Sequence, residues 1–60
     1  RLERELARAQ GLLAAARERL ANDDFTSKAP AAVVDGARRR EAELAEQVRR
    51  LAERIAADRA

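Results

Sequence analysis

Residues 22–30 read NDDFTSKAP and separate two longer segments that repeat apolar residues at helical spacing. Asn22 and the two aspartates after it favour turns and helix caps, because their side chains can hydrogen-bond to nearby backbone amides. Pro30 fits the first turn of a new helix, where its missing N–H would have no intrahelical partner. It also forces Ala29 out of helical geometry. The stretch therefore predicts a bend between two helices.

Apolar residues on either side of this bend recur at spacings that alternate between three and four. That spacing is the heptad pattern of a coiled coil, in which one stripe of each helix faces the other helix. The two stripes, which together form the seam, consist of Leu2, Leu6, Ala9, Leu13, Ala16 and Leu20 before the bend, and of Val34, Ala37, Glu41, Leu44, Val48, Leu51 and Ile55 after it.

The segment between the stripes is too short to run back along a helix of ~30 Å, so the second helix must return antiparallel to the first. We therefore predict an all-α fold, a two-helix antiparallel coiled-coil hairpin with a structured tip. The predicted boundaries are about 1–21 for the first helix, 22–29 for the tip and about 30–58 for the second helix, in one domain that spans residues 1–60.

Glu41 is the one charged residue on the seam, and folding the sequence at the tip places it near Leu13. Arg17, just off the facing stripe, is its expected partner. A charged seam residue costs stability but fixes the alignment of two helices. We therefore favour a structural role for this pair over a role in ligand binding.

The composition excludes most chemistry for this chain. With 60 residues and neither His nor Cys, it has no thiol nucleophile, no disulfide and no His-based acid–base catalyst, and we expect neither a metal site nor a cofactor in it. No apolar run approaches the ~20 residues that span a bilayer, so we expect no membrane partner. We also expect no bound small molecule in this chain. Arg1 stands where an initiator Met would, and we expect a fragment of a longer cytoplasmic protein.

The charges carry a weak signal for a phosphate partner. Twelve of the 13 cations are Arg, whose planar fork grips phosphates, although a GC-rich genome explains that bias better. The densest positive run is Arg38-Arg39-Arg40, and Arg17 and Lys28 lie near it at the tip. It predicts either an edge that meets phosphates or a solvated, salt-bridged surface, and charge alone favours the second.

Phe25 is the only aromatic residue and lies in the tip. Its ring can stack on an exposed RNA base, as aromatic side chains do in RNA recognition. A lone aromatic in a turn more often closes the end of a hairpin core, here against Leu20, Val33 and Val34. We favour the core role, because the tip has no other large side chain to seal it.

The tip also resembles the signature N-x-x-F-x-x-K-A-P-x-x-V-V of bacterial valyl-tRNA synthetases. In that family the signature lies at the bend of a C-terminal coiled-coil arm, and the first residues here, R-L-E-R-E-L, are similar to the start of that arm. The matching positions are Asn22, Phe25, Lys28, Ala29, Pro30, Val33 and Val34.

The resemblance implies a tRNA-binding arm that grips the elbow of a valine-specific tRNA, where the D- and T-loops meet, to support aminoacylation in translation. ATP, Mg²⁺ and catalysis then belong to the parent valine–tRNA ligase, because the H-I-G-H and K-M-S-K-S signatures are absent here. Candidate tRNA contacts combine positive charge with proximity to the signature; they are Lys28, Arg38, Arg39 and Arg17. Residues expected to shape the tip are Asn22, Phe25, Pro30, Val33 and Val34.

Two other interpretations are weighed against this one. The C-terminal coiled-coil hairpin of F-type ATP-binding-cassette translation factors has a similar size and a basic second helix, but it lacks the run from Lys28 to Val34. A protein-interaction module could instead dimerise weakly through leftover apolar surface, for which Leu12, just outside the first stripe, is the best support.

Overall fold

The computed structural model describes residues 1–59 as three helices, α1 (Leu2–Ala21), α2 (Asp23–Lys28) and α3 (Ala31–Arg59). The two long helices pack against each other along their length and give a rod of 46 × 15 × 14 Å. The ion pair between Arg59 and Glu3, near opposite ends of the sequence, shows that the helices are antiparallel. The predicted all-α hairpin is confirmed.

The core is a single narrow line of side chains between α1 and α3. Every residue of the predicted seam is buried or half-buried. The deepest positions are Ala9, Leu44, Leu13 and Val34, which expose 2%, 3%, 6% and 8% of their surface. Because α1 contributes alanine as well as leucine to this line, few large side chains are buried between the helices. The stability of the hairpin therefore rests on few side chains.

The tip contains the short helix α2, which the sequence analysis did not predict. Asn22 ends α1 in an extended conformation (φ −80°, ψ 112°), and its backbone N–H donates to the carbonyl of Arg19 at 3.2 Å. The Asn22 side chain then caps α2, because its Oδ1 accepts a hydrogen bond from the N–H of Asp24 at 2.9 Å. One asparagine therefore closes one helix and starts the next, as its preference for caps allows.

The second bend follows from the proline. Ala29 is extended (φ −73°, ψ 148°), the conformation that a following proline favours, and its N–H donates to the carbonyl of Phe25 at 3.0 Å. The carbonyl of Pro30 accepts from the N–H of Val34 at 3.1 Å, so α3 starts at Ala31. Within residues 1–59 no residue has positive φ, and the chain reverses through these two extended residues alone.

Two ion pairs join α1 to α3 and fix their alignment. Arg17 Nε donates to Glu41 Oε2 at 3.1 Å, which confirms the predicted pair. At the open end of the hairpin, Arg59 Nη2 lies 3.3 Å from Glu3 Oε2. All four side chains are partly solvated, and such pairs are worth roughly 0–1 kcal/mol each. Their main effect is therefore on register, since any slip of the seam would break both.

Candidate nucleic-acid interface

The seam divides the hairpin surface into two long faces. In a heptad repeat, residues seven apart lie on the same flank of a helix, which allows the flanks to be assigned. The Glu3–Arg59 and Arg17–Glu41 pairs mark one flank, called the Arg17 face. The opposite flank is called the Leu12 face. The residues that border the seam on it are Leu12 and Arg19 of α1 and Val33, Arg40, Gln47 and Arg54 of α3.

The structure separates the four predicted tRNA contacts. Lys28 is exposed at the end of α2 and lies 3.8 Å from Asp24 Oδ1, while Arg17 is held by its seam partner. Arg38 lies 21 residues before Arg59 and therefore on the Arg17 face. Arg39 is exposed beside the other face and lines the groove there. The four residues thus do not form one cluster.

An open groove runs along the Leu12 face between α1 and α3. Its floor is the seam itself, at Ala9, Leu44 and Leu51, and Leu12 stands on its wall with 45% of its surface exposed. Five arginines and three glutamates surround this apolar strip; they are Arg8, Arg39, Arg40, Arg50 and Arg54, and Glu5, Glu43 and Glu46. Of these arginines, only Arg39 was predicted from the sequence as a tRNA contact. Heptad positions could have found Arg40 and Arg54, which lie two heptads apart.

Ion pairs within α3 neutralise part of this charge. Arg49 and Arg50 both donate hydrogen bonds to the carboxylate of Glu46, and Arg49 has the larger effect. Together they lower the pKa of Glu46 to about 2, so Glu46 stays ionised at neutral pH. Arg49 also reaches Glu53, and its own pKa is raised by these carboxylates. In contrast, within residues 1–59 Arg39 and Arg40 form no ion pair. These two guanidinium groups are available to an external anion.

The tip brings Phe25 together with an arginine that the sequence analysis did not single out. Arg19 Cζ lies 4.5 Å from the centre of the half-buried Phe25 ring, a cation–π contact. Val34 is buried beside the tip, as predicted, but Val33 leaves 46% of its surface exposed. Val33 therefore contributes less to sealing the tip than we expected, because the start of α3 turns it to the Leu12 face. The seal over Phe25 includes the Arg19 side chain instead.

Two other kinds of feature, a metal site and a membrane-spanning helix, are absent from the described part of the chain. Among residues 1–59 no group of acidic side chains is arranged to hold a metal ion. No helix in the same range has both the length and the apolar character that crossing a bilayer requires.

Comparison with known proteins decides the family. The family model described as the valyl tRNA synthetase tRNA binding arm matches residues 1–57. The chain belongs to this family. The resemblance seen in the tip is thereby confirmed, and it extends along both long helices of the arm.

Curated relatives of this arm are whole synthetases. The chain is 46% identical over 57 residues to the valine–tRNA ligases of two Mycobacterium tuberculosis strains, CDC 1551 / Oshkosh and ATCC 25618 / H37Rv. The match covers 95% of this chain and 6% of each ligase, so the chain spans only a small part of the relatives' length. No solved structure matches the arm.

Proposed function

We propose that this chain is the tRNA-binding arm of a valyl-tRNA synthetase and that it grips the elbow of the tRNA, where the D- and T-loops meet. The match of the arm family to residues 1–57 carries the proposal. The geometry supports it, because a rod 46 Å long with a structured tip can reach a feature distant from a catalytic core. The family match also favours this function over the translation-factor hairpin.

The chemistry belongs to the parent protein in this proposal. Valine activation with ATP and Mg²⁺, and transfer of valine to tRNA in the cytoplasm, need nucleotide-binding and catalytic groups that other domains would supply. Support comes from the relatives, which are valine–tRNA ligases in which the matched segment is a small part of the whole. The arm itself contributes binding and orientation of the tRNA.

The residues of the arm divide the work in a simple way. Asn22 and Pro30 set the two bends of the tip and present Lys28 at the end of the rod. Of the predicted contacts, we propose Lys28 at the tip and Arg39 at the groove as phosphate ligands, since both are exposed. Arg38 is not included, because it lies on the opposite, Arg17 face. Arg17 serves the hairpin rather than the RNA, because its guanidinium is engaged by Glu41 across the seam.

Titration of labelled tRNA with the chain tests the proposal. A matched control RNA consists of the acceptor stem and T arm alone, which cannot form the corner with the D-loop. We expect tighter binding of the tRNA than of this control, and affinity that falls steeply with salt, because arginine–phosphate contacts release counterions. Equal binding of the two RNAs would contradict elbow recognition. Failure to bind tRNA would contradict the function itself.

Substitutions of Phe25 separate a structural ring from a stacking ring. Phe25→Ala should lower the melting temperature and weaken tRNA binding, because the tip loses the ring and its contact with Arg19. Phe25→Leu should keep most of the stability and most of the affinity, since leucine still fills the tip. Thermal melts by circular dichroism and tRNA titrations measure both quantities. If Phe25→Leu melts normally yet no longer binds tRNA, the ring stacks on a base.

A further inference from the structure

The two faces of the hairpin differ in how their cations are used. On the Arg17 face, Arg17 and Arg59 are each paired with a carboxylate of the opposite helix. On the Leu12 face, Arg40 and Arg54 point into the groove and form no ion pair with any part of the chain that the structure describes. Internal ion pairs thus occupy Arg17 and Arg59 on the first face and leave Arg38 as its unpaired cation beside the seam, whereas both groove arginines of the second face are available.

Exposed apolar surface follows the same division. The two large hydrophobic residues that the described chain leaves exposed are Leu12, at 45%, and Val33, at 46%. Both belong to the Leu12 face, and Val33 lies seven residues before Arg40 on the same flank of α3. Arg19, seven residues after Leu12, continues this flank to the ring of Phe25. Apolar and cationic groups therefore alternate from the groove to the tip.

We propose that the Leu12 face is the RNA-bearing side of the arm, so that bound tRNA extends from the tip along the groove. This proposal rests on the proposed tRNA-binding function and adds which side of the rod is used. Arg40 and Arg54 bind phosphates in it, and Leu12 packs against a ribose or an unstacked base. Charge decides the occupant, because unpaired guanidinium groups beside an apolar strip complement the phosphates and sugar edges of RNA.

The acidic residues of the groove restrict where the phosphates lie. Glu46 is neutralised by Arg49 and Arg50, but Glu5 and Glu43 also line the groove. Glu5 is near the open end of the hairpin, whereas Arg39 and Arg40 line the groove nearer the tip and outnumber Glu43 there. The phosphates closest to the elbow therefore meet the tip-side half of the groove, and Arg40 is the central contact.

A matched pair of substitutions two residues apart tests this assignment. Arg40→Gln and Arg38→Gln remove the same charge from exposed positions of α3 that form no ion pair within residues 1–59. We expect Arg40→Gln to weaken tRNA binding several-fold and to lower the salt slope by about one. Arg38→Gln should leave both unchanged. Leu12→Ser, at an exposed position, should also weaken binding, and circular dichroism verifies that each variant is folded.

The outcomes separate this inference from the function on which it rests. If the unsubstituted chain fails to bind tRNA, the proposed function fails. If it binds and Arg38→Gln weakens binding while Arg40→Gln and Leu12→Ser do not, the RNA lies on the Arg17 face and the inference is overturned alone. The inference is likewise overturned if sedimentation shows dimers that Leu12→Ser dissociates without changing tRNA affinity, because a second copy then occupies the groove.

Discussion

Leu44→Ala should unfold most of the isolated chain at room temperature. Leu44 exposes 3% of its surface and lies at the middle of a core with only four buried residues among those described. Truncation of a buried leucine to alanine costs about 2–5 kcal/mol. A single core in a chain of this size rarely supplies more than about 3–5 kcal/mol of stability. The loss is therefore comparable to the whole stability of the hairpin.

Leu12→Ala is the matched control for this prediction. It is the same chemical change on the partner helix, but Leu12 exposes 45% of its surface, and exposed substitutions usually change stability by about 0.5 kcal/mol or less. Leu13→Ala, at a 6% exposed position, should behave like Leu44→Ala, and Leu51→Ala at a half-buried position should fall between. Thermal melts by circular dichroism measure the series. Similar melting temperatures for Leu44→Ala and Leu12→Ala would contradict the seam.

The hairpin could be predicted from the sequence because its fold depends on one periodic pattern. The alternation of three and four selects a single stripe on each helix, and all of the selected residues are at least half-buried. Register was also predictable, since the only charged seam residue, Glu41, requires a partner and Arg17 is the nearest facing cation. Such a pattern is dependable in long amphipathic helices, because only one stripe of each helix is apolar and can face the core.

The details of the tip could not be read in the same way. Helix α2 has 6 residues, too few for a repeat to be visible. The contact between Arg19 and Phe25 depends on the path of the chain through two bends around Asn22 and Ala29, which no spacing rule describes. The exposure of Val33 follows from the angle at which α3 leaves the tip.

The candidate site was predicted by residue type but not by place. Charge identified the run Arg38-Arg39-Arg40, yet consecutive helical residues point in different directions, so the run is divided between faces. Whether a neighbouring cation is already paired depends on the carboxylates that the facing helix brings near, as Glu41 does for Arg17. Those contacts follow from the tertiary register. The tRNA function itself came from the resemblance, since periodicity and charge are shared by many hairpins.

Removal of the segment equivalent to this chain from the proposed parent synthetase should have the largest functional effect. Elbow contacts hold the tRNA and place its acceptor end at a distant active site, so their loss should appear in KM for tRNA or in kcat/KM for aminoacylation. Valine activation uses only ATP and valine, and this chain lacks the His and Met of the synthetase catalytic signatures. Activation should therefore survive the deletion.

Valine-dependent pyrophosphate exchange without tRNA, measured beside tRNA affinity in the same deletion protein, is the most direct test of the tRNA-binding function. Pyrophosphate exchange also serves as the control for folding of the remaining domains. We predict exchange at the rate of the intact synthetase together with a large loss of tRNA affinity. Loss of exchange with retention of tRNA affinity would contradict the assignment of this hairpin as the tRNA-binding arm.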